Sequence, residues 1–231
     1  MELQTPYRSP VNQVLAQESS RAFLARVYGW MFAGLAVSGA VSVLATTNET
    51  LMMLVIRQPL ISLGVMLAFT WFVTPKLAEM SPAAAGGLFM VYASMMGVFL
   101  SPIFLVYELG SISRTFFLSA TMFGALSLFA LKTKQDLSPM RTFLFMGMWG
   151  WFALAMIQFF WPSPMLNFLV GCIGVTVFAG LTAYDTQKLK AFGAEAESRG
   201  LRGMAIAGAL QLYLDFINLF LSLLRLLGNR R

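Results

Sequence analysis

Two aspartates stand inside long apolar segments, where an ionised side chain is costly. Asp185 lies near the end of one such segment and Asp215 in the middle of the next. A carboxylate at the centre of a membrane helix costs about 2.5–3.5 kcal/mol, so residues of this kind normally face a bundle interior and have a partner. Each aspartate is the obvious partner of the other. Two carboxylates held close cannot both ionise at low cost, so we expect them to titrate as a pair that shares one proton.

Proton sensing near neutral pH is the chemistry that such a pair can perform. The chain has no histidine, so a sensor in this pH range has to come from perturbed groups, and the aspartate pair is the best candidate. Loss of the shared proton would replace a hydrogen-bonded contact with repulsion and create a site for a hard cation. In the other interpretation, which stays open, Asp185 and Asp215 only tie two helices together.

A polar stripe runs through Asp215 along its segment. Five polar residues, separated by four, three, four and three positions, fall on one helical face: Gln211, Asp215, Asn218, Ser222 and Arg225. A single polar stripe on an otherwise apolar helix is expected to point into the protein. We therefore place this helix at the centre of a bundle, with Asp215 near mid-membrane and Asp185 towards the cytoplasmic end.

The composition indicates that the elements holding these residues are membrane helices. The chain is 58% hydrophobic and only 11% charged, whereas soluble domains carry about 25% charged residues. A spanning helix needs about 20 apolar residues. Seven stretches approach this length: Val27–Ala45, Pro59–Thr74, Ala83–Tyr107, Ile112–Leu131, Arg141–Trp161, Met165–Gln187 and Met204–Gly228. We expect an all-α membrane protein, a single transmembrane domain over residues 1–231, in which the other six helices surround the C-terminal one.

The charges of the loops predict the orientation in the membrane. If the N-terminus and its polar segment 1–21 are cytoplasmic, eleven of the sixteen lysines and arginines collect on the inner side: Arg8, Arg21, Arg26, Lys76, Lys132, Lys134, Arg141, Lys188, Lys190, Arg199 and Arg202. The intervening outer loops keep only Arg57 and Arg114, as the positive-inside rule requires. An odd number of spans leaves Arg225, Arg230 and Arg231 outside, so a re-entrant last segment stays an alternative.

The same charge distribution bears on the partners. A net charge of +6 spread over several loops is what anionic lipid attracts, whereas a nucleic-acid-binding protein gathers its basic residues in one patch. We therefore expect membrane lipid, and no nucleic acid, as a partner.

The third segment carries a second small and polar face. Four residues share a heptad-like spacing: Ser94, Gly97, Ser101 and Glu108. They could line a path with Glu108 at its outer mouth. They could also allow close helix packing, which is the common use of small residues in membrane bundles and the interpretation that we favour. Gly171 and Gly174 on the sixth segment are likewise expected to be packing residues.

Two long strings enclose the aspartates. One is Gly180-Leu181-Thr182-Ala183-Tyr184-Asp185-Thr186-Gln187, and the other runs from Leu212 to Phe220 and continues with Leu223-Leu224-Arg225. Both closely resemble the signature segments of the Bax inhibitor-1 family. The seven-span layout agrees, so the resemblance covers nearly the whole chain. Three further strings make it look most like the bacterial inner-membrane branch of that family: Tyr28 to Trp30, Lys134 to Ser138 and the terminal Gly-Asn-Arg-Arg.

The resemblance implies a central seventh helix and a proton-sensitive calcium leak gated by two aspartates, whose positions Asp185 and Asp215 match. It also implies a latch, supplied by an arginine at the cytoplasmic end of the second helix. This sequence departs from the family pattern there. Lys76 could supply the cation, but Pro75 precedes it and changes the geometry.

Calcium takes six to eight oxygen ligands, more than two aspartates provide. Waters, backbone carbonyls and the side chains of Gln211 or Asn218 would have to complete the shell. Incomplete coordination suits a leak, which must release the ion that it binds. We therefore expect transient calcium at Asp185 and Asp215 and no tightly bound cofactor.

Enzymatic activity is not expected. Intramembrane aspartyl proteases also use two membrane aspartates, but they resemble one another in a Gly-x-Gly-Asp motif where this chain has Leu212-Tyr213-Leu214-Asp215. With no histidine and a single cysteine, Cys172, familiar zinc and haem sites lack ligands.

A role as an interaction protein stays open. The resemblance implies that some bacterial relatives modulate a membrane-anchored ATP-dependent protease and that the family acts in stress responses. In that case the aspartates would be structural, and the polar segment Met1–Arg21 would be the natural contact.

Overall fold

The protein is a bundle of long helices. The computed structural model describes residues 10–198 and 203–231. Within them the helices are α1 (Pro10–Thr46), α2 (Glu49–Arg57), α3 (Pro59–Leu77), α4 (Pro82–Leu100), α5 (Ile103–Val106), α6 (Leu109–Lys132), α7 (Met140–Phe160), α8 (Pro164–Ser198) and α9 (Met204–Leu227). The predictions that concern Arg8, Arg199, Arg202 and the first nine residues of the polar N-terminal segment lie outside the described residues.

Seven stretches of these helices are long and apolar enough to cross a membrane: Glu18–Thr46, Pro59–Leu77, Pro82–Val106, Leu109–Lys132, Met140–Phe160, Pro164–Gly193 and Met204–Leu227. They match the seven predicted segments one for one. The prediction of an all-α membrane protein with seven spans is therefore confirmed.

Prolines mark where several helices begin. Pro59, Pro82 and Pro164 are the first residues of α3, α4 and α8, a position where the missing N–H is not needed. Pro102 interrupts the third span between α4 and α5, because a proline within a helix removes one backbone hydrogen bond.

The last helix, α9, lies at the centre of the bundle. It packs against α1, α3, α4, α6 and α8. In its most apolar stretch 67% of the residues are buried, against 39% or less in each of the other spans. The expected arrangement needs one correction: α7 packs mainly against α8, and only 6% of its most apolar stretch is buried. The polar stripe accounts for the central place of α9, but it could not show that α7 lies outside the set of helices that surround α9.

The course of α9 decides between a spanning and a re-entrant last segment. At its start, Gly203 lies against the backbone of Leu77 at the end of α3. At its other end, residues 228–231, here called the tail, bind the connection between α5 and α6: Glu108 N–H donates to Asn229 O (3.1 Å) and Arg231 N–H to Val106 O (3.0 Å). Because α3 ends at one end of the bundle and α6 begins at the other, α9 crosses it completely, and the re-entrant alternative is wrong.

The two ends of the bundle are named here by these features. The basic end is the end at which α3 and α6 finish, and it carries Lys76 and Lys132 in the last turns of these helices. Lys188 lies on the part of α8 that approaches the same end. The tail end is where α9 finishes.

Candidate functional site

The two aspartates meet between α8 and α9. Asp185 is 3% exposed and Asp215 is 6% exposed, and their carboxyl groups lie within hydrogen-bonding reach of each other. In the part of the chain that the structure describes, Asp185 Oδ1 and Asp215 Oδ2 are buried without a hydrogen-bond partner. A buried, unpaired carboxylate oxygen is costly. One proton held between the two carboxyls would relieve the repulsion, so the geometry suits a shared proton.

Two polar side chains extend this pair. Gln211, one turn before Asp215 on α9, has its side-chain amide within hydrogen-bonding reach of the Asp185 carboxyl. Lys188, one turn after Asp185 on α8, is half-buried and close enough to act electrostatically on both carboxyls. Both polar groups, an amide and a cation, therefore lie on the basic-end side of the pair.

The apolar neighbours of Asp215 along α9 are buried as well. Leu212, Tyr213, Phe216 and Leu219 are each at most 2% exposed. On the α8 side the next residue, Thr186, is fully buried, and its hydroxyl lies 3.3 Å from that of Ser127 on α6. Little water can reach the carboxyls in this conformation, so electrostatic interactions between them are strong.

The end of α8 beside the pair is anchored to the connection between α6 and α7. Gln187 accepts a hydrogen bond from Leu137 N–H and donates one to Gln135 O, both at 2.8 Å. The ammonium of Lys190 donates to Leu131 O in the last turn of α6, where a cation also complements the helix dipole. Sequence reasoning missed this anchor, because neither residue shows its partner in a local pattern.

The polar stripe is only partly enclosed. Asp215 and Ser222 are buried, while Gln211, Asn218 and Arg225 are half-buried. Ser222 Oγ donates to Asn218 O at 2.7 Å, and Asn218 Nδ2 donates to Leu214 O at 2.9 Å. Beyond Asp215, these stripe residues therefore bond to the backbone of their own helix.

Lys76 and Glu108 are both exposed, whereas the carboxyl pair is buried. Lys76, the predicted latch, is exposed in the last turn of α3, and Glu108, the predicted outer mouth, is exposed at the start of α6 at the tail end. The cation that acts on both carboxyls is Lys188.

The small residues of the third and sixth spans are packing residues. A side chain at Gly97 would come within 2.7 Å of Ser38 O on α1. Gly171 packs against Leu226, and Gly174 packs against Ser222. These close approaches support the packing interpretation of both faces.

A second buried polar contact lies near the pair. Tyr213, two residues before Asp215, is fully buried, and its hydroxyl is 2.6 Å from Ser38 Oγ. The sequence contained one signal for it, since a tyrosine in mid-membrane needs a partner for its hydroxyl, but nothing that identified Ser38.

Fold and site together define a polytopic helical membrane protein with a buried carboxyl pair beside its central helix. The model of the family described as "Inhibitor of apoptosis-promoting Bax1" matches residues 20–231. The chain therefore belongs to this family, the Bax inhibitor-1 family, as the two signature strings predicted.

Relatives of similar length support the assignment. The chain is 42% identical over 217 residues to the inner membrane protein YbhL of Escherichia coli (strain K12), with 91% of this chain and 93% of that protein covered. It is 38% identical over 212 residues to an uncharacterized protein of Deinococcus radiodurans, with 91% of each covered. It is 36% identical over 214 residues to an uncharacterized protein of Borreliella burgdorferi, with 90% of this chain and 92% of that protein covered.

Proposed function

We propose that the protein is a pH-sensitive cation leak whose gate is the Asp185–Asp215 pair. The observation that supports this most is the contact between two buried carboxyls at the junction of α8 and the central helix. An intramembrane acid pair of this kind is typical of proton relays and ion paths. In this proposal, the closed form is a state in which the two carboxyls lie within hydrogen-bonding reach of each other and share one proton.

Rising pH opens the gate. When the shared proton leaves, two adjacent negative charges repel each other and α8 and α9 separate at the pair. The nearby Lys188 favours this step, because a cation stabilises the ionised carboxyls. Flux therefore increases with pH and falls as the pair regains its proton.

Calcium is the ion that the family resemblance implies. The ionised pair offers carboxylate oxygens, and Gln211, whose side-chain amide lies within reach of Asp185, can turn its amide oxygen towards the ion. Among the described residues there is no cluster of three or more His, Cys, Asp or Glu side chains that could hold a metal ion. Water would complete the six to eight ligands of calcium, so the ion passes the pair as cargo and is released.

The location belongs to the same proposal: a multi-pass protein of the bacterial inner membrane with its N-terminus in the cytoplasm. The inner-membrane relative YbhL and the lysines gathered at the basic end support it. A phosphatase reporter that is active only outside the cytoplasm should be active when fused to residue 231. Activity of a cytoplasmic reporter at the same position would contradict this orientation.

Calcium flux into liposomes, measured as a function of pH, tests the function. The wild type should show flux that rises with pH. Asparagine resembles a protonated aspartate, so Asp215→Asn should keep the closed contact and show low flux at every pH. If the folded variant keeps both the flux and its pH dependence, the proposal fails.

Asp136 offers a matched control. It is an aspartate at the basic end, in the connection between α6 and α7, and it is fully exposed. Asp136→Asn makes the same chemical change outside the pair and should leave the flux profile unaltered.

A further inference from the structure

The tail is held in a fixed place at the tail end of the bundle. Besides the two backbone hydrogen bonds to Val106 and Glu108, Asn229 N–H donates to Ser111 Oγ at 2.9 Å. Tyr107 and Arg230 form an isolated antiparallel bridge. The arginines of the tail are therefore carried by an ordered backbone.

The ring of Tyr107 packs against this tail. The ring lies so close to Gly228 that a side chain there would meet Cδ1 and Cε1 at 2.6 Å. The guanidinium of Arg230 stands 5.9 Å from the centre of the same ring, a cation–π arrangement. Position 228 therefore has no room for a side chain, and one ring contacts both ends of the segment from Gly228 to Arg230.

The last turn of α9 adds a second guanidinium to the same place. Arg225 is half-buried, and the groups that act on it electrostatically are Tyr107 and Arg230, neither of which has a carboxylate. Two guanidinium groups held near each other repel unless an anion lies between them. Arginine is also the residue best suited to bind a phosphate, through two parallel N–H donors.

The residues around this pair of arginines are apolar and exposed. Leu227 follows Arg225 by two positions and is 54% exposed, and Leu105 and Leu109, on either side of Tyr107, are 52% and 56% exposed. A free phosphate makes no favourable contact with apolar side chains, whereas the acyl chains of a lipid pack against them. The two arginines also lie at the depth expected of a lipid phosphate, because the apolar part of the span ends with α9 at this point.

We propose that Arg225 and Arg230, together with Tyr107, form a binding site for the phosphate group of an anionic lipid at the tail end of the bundle. The lipid phosphate supplies the negative charge between the two guanidinium groups, and its acyl chains lie along the exposed leucines. The ordered tail then holds Arg230 in position for the phosphate.

Native mass spectrometry of the full-length protein tests this site. The protein is re-lipidated with equal amounts of phosphatidylglycerol and phosphatidylcholine, and the retained lipids are counted. The wild type should retain phosphatidylglycerol preferentially. Because one arginine near a membrane surface favours anionic lipid by about fivefold, Arg230→Gln and Arg225→Gln should each lower this preference by about that factor. Arg230 lies in the exposed tail, so its variant carries the test if Arg225→Gln does not fold.

Two control variants share the same end of the bundle. Arg114 is exposed on α6 and donates to Gly110 O of its own helix, so Arg114→Gln should leave the preference unchanged. Glu108→Gln removes an acid from the connection that binds the tail and should not weaken the preference.

Three results would overturn the proposal. The first is equal retention of the two lipids by the wild type. The second is a preference that Arg114→Gln lowers as much as Arg230→Gln does. The third is displacement of phosphatidylglycerol by an excess of inorganic phosphate, which would make the site one for free phosphate. None of these outcomes depends on whether the aspartate pair gates a cation.

Discussion

The hydroxyl of Tyr213 donates a hydrogen bond to Ser38 Oγ, which joins the central helix to α1. The direction follows from the neighbours of Ser38: its single hydroxyl proton has two carbonyl acceptors, Ala93 O at 2.8 Å and Gly34 O at 2.9 Å. The tyrosine must therefore supply the proton for the 2.6 Å contact. Through Ala93 the contact also reaches α4, so α1, α4 and α9 are tied together two positions before Asp215 on α9.

Replacing Tyr213 by phenylalanine should weaken this three-helix contact. Hydrogen bonds between membrane helices contribute about 0.6 kcal/mol on average and up to about 1.7 kcal/mol, so Tyr213→Phe should lower the stability by an amount in that range. Thermal unfolding of the purified protein in one detergent measures the difference.

Tyr28 provides the control for this substitution. Its hydroxyl is buried and has no hydrogen-bond partner among the described residues. Tyr28→Phe therefore removes an unsatisfied group and should be neutral or slightly stabilising. Equal losses in the two variants would show that the contact with Ser38 contributes nothing specific.

Gly97 should tolerate no larger residue, because α1 and α4 touch there. An alanine Cβ would meet Ser38 O at 2.7 Å and Val41 Cβ at 2.8 Å, and overpacking of this kind costs about 1–3 kcal/mol. Gly87, on the same helix, has open space around it. We expect Gly97→Ala to lower the unfolding temperature and Gly87→Ala to leave it unchanged or raise it. The reverse order would contradict the packing interpretation.

These contacts show which parts of the fold the sequence could reveal. The apolar lengths and the polar stripe through Asp215 predicted seven spans and a central last helix, because a bilayer imposes both on any chain that crosses it. They could not show which helices touch. The partners of Tyr213 and Gly97 lie 175 and 59 positions away in Ser38, and no local pattern encodes such a distance.

Removing Gln187 should loosen the connection between α6 and α7. Gln187→Ala loses both the acceptor for Leu137 N–H and the donor to Gln135 O, so residues 133–139 should exchange their amide hydrogens faster. Gln187→Glu keeps the acceptor alone and should show an intermediate effect. Unchanged exchange in both variants would mean that the two hydrogen bonds of Gln187 do not order the connection.

Lys188, and not Lys76, should set the pH at which the proposed gate opens. The positive charge of Lys188 favours the ionised carboxyls, so its loss makes the pair keep its proton to higher pH. We expect Lys188→Gln to move the midpoint of calcium flux to higher pH and Lys76→Gln, on an exposed side chain, to leave it in place. A shift in the Lys76 variant alone would restore the latch that the family resemblance implied.

Asp136 should not contribute to this pH dependence. The backbone N–H and hydroxyl of Ser138 hold the pKa of the exposed Asp136 carboxyl below its usual value of 3.8. A lowered pKa means that its contribution to stability is present above that value and is lost only as the pH falls further. Asp136 is therefore ionised throughout the neutral range, and a titration of Asp136→Asn near pH 7 should match the wild type.

Only part of the candidate site could be predicted from the sequence, as was true of the fold. The rarity of acids in membrane spans made Asp185 and Asp215 visible, and the absence of histidine made them the best proton sensor. The roles predicted for Lys76 and Glu108 rest on resemblance and position, and both side chains are exposed. The sequence shows Lys188 only as a loop charge, because its approach to both carboxyls depends on how α8 and α9 are packed.

The most direct test of the central claim is an infrared titration of the carboxyl groups in the membrane-embedded protein. If Asp185 and Asp215 share a proton, the signal of a protonated carboxyl should disappear as the pH rises through neutrality. In both Asp185→Asn and Asp215→Asn, no carboxyl should titrate near neutral pH. A wild-type protein in which no carboxyl titrates between about pH 5 and pH 8, or a signal that survives in both variants, would contradict the shared-proton pair.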